Sequence, residues 1–100
     1  MSDVNILDKY RLPEKETLEH ASKIAMTQDK PIMLDYWCAS LDNDILIGIR
    51  DTGEKLLVKN EDEYTSPIAK IYKVQNSDYI ILTENSIYII DSSIQTKNIS

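Results

Sequence analysis

One hundred residues suffice for a single domain with one modest core, and 42% apolar against 28% charged side chains is the balance of a folded chain. The net charge is −6 and the only two Arg are Arg11 and Arg50, so no basic stripe exists to neutralise phosphates. Nucleic acid and anionic membrane surfaces are therefore not expected partners.

Cys38 is alone and cannot form an internal disulfide, which suits a reducing compartment. Residues 1–5 lack a basic segment followed by an apolar stretch, and no apolar run approaches the roughly 20 residues of a membrane span. An intracellular location without secretion is expected. Ile supplies 15 residues against 3 Val and no Phe, a bias typical of AT-rich coding sequences.

Residues 1–12 show no period and read as an N-terminal arm, with Ile6, Leu7 and Leu12 free to dock. Pro13 is tolerated in a first helical turn, and Leu18, Ala21, Ile24, Ala25 and Gln28 recur at helical spacing. Pro31 ends the pattern, so a helix is predicted over about 13–29 with that stripe on a core. After Pro31 the period switches to 2: Ile32, Leu34, Tyr36 and Cys38 alternate with Met33, Asp35, Trp37 and Ala39, which predicts a strand.

Residues 44–50 and 55–60 flank Asp51–Thr52–Gly53–Glu54, a hairpin signal. A four-residue loop sets Ile49 against Leu56 and Ile47 against Val58, leaving Arg50, Lys55 and Lys59 on a wet face. Residues 68–75 and 79–84 form a second hairpin around Asn76–Ser77–Asp78. Residues 87–91 return through a two-residue turn at Asn85–Ser86, where Asn tolerates positive φ. The segment 92–100 is polar and expected to fray. The predicted class is α+β: an N-terminal helix on a mainly antiparallel sheet, or small barrel, of about six short strands. The domain proper is residues 13–91.

Few residues suggest chemistry. Cys38 and His20 could pair as thiolate and base, yet Cys38 falls on the apolar strand face and His20 on the helix flank, so no enzyme is expected. One Cys and one His cannot hold zinc, and Asp42–Asn43–Asp44 lacks the later calcium ligands. No metal and no cofactor are expected. Glu61, Asp62 and Glu63, with Asp42, Asp44, Asp51 and Asp91, raise an acidic nucleic-acid mimic as a minor alternative.

The most specific pattern is Tyr64–Thr65–Ser66–Pro67–Ile68 followed by Thr83–Glu84–Asn85–Ser86–Ile87–Tyr88. Antiparallel pairing of 68–75 with 79–84 brings these two hydroxyl-rich corners to one edge. They serve either as turn devices or as a polar recognition site made by Tyr64, Thr65, Ser66, Thr83, Asn85, Ser86 and Tyr88. The pair of segments resembles short, uncharacterised β-rich proteins of bacteriophages and large DNA viruses. That resemblance covers residues 64–90 alone, carries no established activity, and implies a virion-associated or cytoplasmic location.

The expected function is thus a non-enzymatic structural or interaction protein, read as a small viral particle or accessory component that self-associates. The alternative is a ligand- or peptide-binding module using the hydroxyl-rich edge. Self-association is expected at Ile81 and Ile90. The last hairpin is apolar on both faces, one narrow helix covers one face, and a two-fold dimer would cover the other.

Overall fold

The computed structural model describes residues 10–99, so the docking expected of Ile6 and Leu7, and most of the arm, lie outside the described residues. Helix α1 spans Lys15–Gln28 and ends at Asp29, which turns left-handed with φ 54°. Asp29 N–H returns to the Ala25 carbonyl and closes the helix end. Pro13 lies just before the helix. The buried positions of α1 are Thr17 and Ala21, with Ile24 and Ala25 packed beside them. Leu18, placed on the core stripe by its spacing, is 37% exposed, because the helix is rotated to lay Thr17 on the sheet.

Eight short strands follow: β1 (Ile32–Met33), β2 (Leu46–Ile49), β3 (Lys55–Asn60), β4 (Glu63–Tyr64), β5 (Ile68–Val74), β6 (Asp78–Thr83), β7 (Ile87–Asp91) and β8 (Gln95–Asn98). They build two four-stranded sheets, ordered β1-β7-β6-β5 and β4-β3-β2-β8. All pairings are antiparallel except β1 with β7 and β2 with β8. The class is α+β, as expected, but the strands form two stacked sheets rather than one sheet or barrel.

The first sheet is the middle layer. On one face Ile80, Leu82, Ile87, Ile89 and Val74 pack with Ala21, Ile24 and Ala25 of α1 and with Trp37. On the other face Ile81 and Ile90 meet Ile45, Ile47 and Leu57 of the second sheet. The last hairpin is apolar on both faces because both are covered within one chain. Ile81 and Ile90 are 0% exposed and belong to the core, so they cannot be the self-association surface expected of them.

Three local expectations are corrected. Only Ile32–Met33 of the strand predicted after Pro31 forms. Trp37–Leu41 is a short helix, α2, whose Trp37 and Ser40 are buried one turn apart while Cys38 is exposed. Period 2 was an accident of residues that also satisfy a helical turn. At the other end, Gln95–Asn98 forms β8 where fraying was expected, held by buried Ile94 and by Ile99 N–H bonded to the Ile49 carbonyl.

The third concerns register. Ile49 pairs with Lys55, Ile47 with Leu57 and Leu46 with Val58, one residue away from the predicted pairing. Arg50 pairs with Glu54 and Gly53 takes φ +92°, so the loop has three residues rather than four. A one-residue slip moves every partner side chain to the opposite face. Leu57 therefore enters the core, and Leu56 and Val58 stand on the outer face predicted to be wet.

Candidate functional site

Ile68 pairs with Thr83, but the two hydroxyl-rich corners bond to different partners. Thr65 belongs to the second sheet: its N–H donates to the Leu57 carbonyl at 2.9 Å, and its Oγ1 accepts from Leu57 N–H at 3.1 Å. That hydroxyl donates to the Ser66 carbonyl. Thr83 and Ser86 serve the β6–β7 turn instead. Thr83 N–H donates to the Ser86 carbonyl at 3.0 Å, and Ser86 N–H donates to Thr83 Oγ1 at 3.1 Å. The two-residue turn is thus Glu84–Asn85, one residue earlier than predicted, and neither residue has positive φ. Thr65 is thus bonded to Leu57 of the second sheet, while Thr83 and Ser86 bond to each other.

The flanking tyrosines point to different places. Tyr88 is half-buried between the sheets with its ring 5.5 Å from that of Tyr36. Burial pushes both phenols up; for Tyr36 the nearby Glu63 adds to it, while for Tyr88 a hydrogen bond with Ser86 works against it. Tyr64 is 53% exposed and lines the outer face of the second sheet. Of the seven predicted site residues, Tyr64 is the one that lines the cleft on that face.

That cleft has a volume of about 860 Å³. Its floor is Leu46, Leu56, Val58 and Ile99, and its rim carries Asp44, Arg50, Asp51, Lys59, Glu61 and Lys97. The volume is that of a ligand site. Gly48 sits on the same outer face, and a Cβ there would lie 2.6 Å from Ile99 Cδ1, so Ile99 rests directly over it. The cleft adjoins β8, whose outer edge pairs with no strand among the described residues. Edges β1 and β4 have two residues each, and β5 is broken by a register shift at Ala69 and carries Lys70 and Lys73. Edge β8 is regular, four residues long and carries Lys97.

A second polar centre lies at the start of α1. Asp78 is 0% exposed, yet its carboxylate accepts from Arg11 Nη2 at 2.7 Å, Thr17 Oγ1 at 2.7 Å and Glu14 N–H at 2.9 Å. The sheet thus supplies the carboxylate that meets the positive end of α1. Arg11 also donates to Asp91 at 2.6 Å and to the Ser77 carbonyl, and its guanidinium lies 4.8 Å from the Trp37 ring centroid. Trp37 Nε1 donates to the Arg11 carbonyl. Partial burial pushes the Asp91 carboxyl up, but hydrogen bonds from Ser93 and Arg11 outweigh it and hold it below the ordinary value. Partial burial depresses the Arg11 guanidinium, but its bonds to Asp78 and Asp91 leave it raised. These groups fasten the arm and helix to the sheet.

His20 stands 3.5 Å from Glu16 on the α1 flank facing β5, whereas Cys38 is on α2 beside β7, toward the opposite edge of the first sheet. Among the described residues no three His, Cys, Asp or Glu are arranged to hold a metal, and no helix is long and apolar enough to cross a membrane. No protein-family model, curated protein or solved structure matches the chain.

Proposed function

We propose that the chain is a non-enzymatic interaction protein that holds an extended polypeptide segment along β8 and in the cleft on the outer face of the second sheet. The observation that carries this reading is that cleft, with its floor of Leu46, Leu56, Val58 and Ile99. A rim of both charge signs suits a polypeptide with mixed side chains better than a polymer of one sign. The adjoining β8 edge offers backbone groups for strand addition beside pockets for alternate side chains. The resemblance of residues 64–90 to phage and large-DNA-virus proteins is the ground for reading the partner as part of a particle.

Selection from a displayed library of linear octapeptides tests this. Selected peptides are expected to bind the wild-type chain and to lose at least about tenfold in affinity on Val58→Glu, with the circular dichroism spectrum unchanged. Failure to select any binder, or binders indifferent to Val58→Glu, would overturn the reading. A second copy is the competing occupant: light scattering that shows a dimer dissociated by Val58→Glu would replace the peptide with the chain itself.

A further inference from the structure

A helix is about 10 Å wide and neighbouring strands lie about 4.8 Å apart, so one helix cannot roof four strands. Helix α1 packs on β1, β7 and β6. Strand β5 extends beyond it at the edge of the first sheet. The register places Tyr72 opposite Ile80 and Val74 opposite Asp78, and Ile80 and Val74 share the core beneath α1, so Tyr72 and Val74 stand on the helix side. Between α1 and β5 runs a groove of about 400 Å³, floored by Ile24, Tyr72, Val74 and Ile80. This groove lies on the opposite side of the molecule from the cleft of the second sheet.

The charge along the groove opposes the charge of the chain. Glu16 is engaged: its carboxylate accepts a short hydrogen bond from the Gln75 amide and faces His20 at 3.5 Å. Lys23 lines the groove from the helix, and Lys73 borders it from the edge strand β5, although its register partner Tyr79 belongs to the opposite face. Lys70, on the same side of β5 as Tyr72 by alternation, sets its ammonium 5.4 Å from the Tyr72 ring centroid. Among the described residues none of these three lysines enters an ion pair. A chain of net charge −6 thus presents Lys23 and Lys73 on one apolar groove and Lys70 beside it, none of them in an ion pair among the described residues.

We propose that this groove receives an amphipathic α-helix of a partner protein, with its apolar stripe on Ile24, Tyr72 and Val74 and acidic residues on its flanks. Strand β5 is left beside α1 at the edge of the sheet, and a second helix seated between α1 and that edge extends the layer that α1 begins. Apolar anchors at helical spacing seat in such a groove, and the lysines select the flanks. The charge also steers the encounter, so association is faster at low salt.

The test is a displayed library of helical peptides of about 15 residues, with apolar positions fixed at i, i+3, i+4 and i+7 and flanks randomised. Binders selected on the full chain are expected to be enriched in Asp and Glu over Lys and Arg at the flanks. They should weaken about tenfold on the double substitution Lys70→Glu, Lys73→Glu and weaken further with added salt. Both lysines are exposed, so that variant keeps its fold. Tyr72→Ala provides an apolar control, read together with its thermal unfolding. Flanks without acidic enrichment, binding unchanged in the lysine double variant, or no binder at all would overturn the proposal. A dimer that buries the groove in light scattering would overturn it too. Val58→Glu, on the other face, leaves this binding intact, so the two surfaces stand or fall separately.

Discussion

Asp78 and Asp91 stand directly opposite each other on neighbouring strands, and Arg11 Nη2 lies 2.7 Å from an oxygen of one and 2.6 Å from an oxygen of the other. Like charges across an antiparallel pair are destabilising. Here the cation between them turns a repulsion into a clamp. Arg11→Leu removes that cation and leaves two facing carboxylates, one of them fully buried. The Arg11 side chain is 36% exposed, so water screens part of the loss. A cost of roughly 1–3 kcal/mol is expected in urea unfolding. In a double-mutant cycle, Arg11→Leu and Asp91→Asn should couple by more than about 0.5 kcal/mol; additive effects would show that the clamp contributes nothing.

The same clamp makes stability fall in acid. The folded-state pKa of Asp91 lies below its ordinary value of 3.8. Its contribution is therefore complete above that value and is lost as pH falls from there toward the depressed folded-state pKa. Unfolding free energy measured from pH 6 down to pH 2 should decline in the wild type across this window. Asp91→Asn should flatten the decline while lowering stability at pH 6. An unchanged acid limb in the variant would assign the loss to other carboxylates.

Much of the fold is legible in the sequence because its period is unambiguous where its residues are. The Ile and Leu positions of 79–91 alternate on two apolar faces, and a two-residue error in register leaves both faces intact. That is why placing the turn at Glu84–Asn85 rather than Asn85–Ser86, which pairs Ile80 with Ile89, leaves the same side chains on each face. The run Leu56–Leu57–Val58 is different. It can turn either parity inward, and only the three-residue loop closed by Gly53 decides. The apolar cleft depends on that decision, so its floor could not be read from the chain. Tyr64 was visible as a candidate, but its neighbours in space were not. The Arg11 clamp was equally hidden, because it joins residues 11, 78 and 91.

Because Ile81 and Ile90 are core residues, charge there should unfold the chain rather than dissociate it. Ile81→Lys buries an ammonium between two sheets among the apolar side chains of Ile45, Ile47, Leu57 and Ile90. The penalty is several kcal/mol, comparable with the whole stability of a small domain. Loss of cooperative thermal unfolding is expected. A folded monomer with native circular dichroism would place Ile81 at a surface after all.

The β6–β7 turn offers a sharper check of local geometry. Asn85 does not adopt positive φ, so Asn85→Val should cost less than about 0.5 kcal/mol. Thr83→Val removes the hydroxyl that accepts from Ser86 N–H and should cost about 1 kcal/mol. The reverse order would restore the turn to Asn85–Ser86.

Gly48 and Ile99 supply a test in which the sign of one substitution depends on the other residue. Gly48 lies in a strand and gains no benefit from left-handed freedom, so alanine there should stabilise by roughly 0.5–1 kcal/mol through the unfolded state, if space allows. Space does not allow it while Ile99 is present, because the new Cβ would lie 2.6 Å from Ile99 Cδ1 and 3.0 Å from Cγ2. Ile99 is 41% exposed and can swing outward, which limits the clash but lifts it off the cleft floor. Gly48→Ala is therefore expected to be neutral or mildly destabilising in the wild type. In an Ile99→Ala background the same change should be stabilising, with the two effects differing by about 1 kcal/mol in urea unfolding. Equal effects in both backgrounds would mean that Ile99 does not rest on Gly48 in solution, and that the cleft is open along its full length.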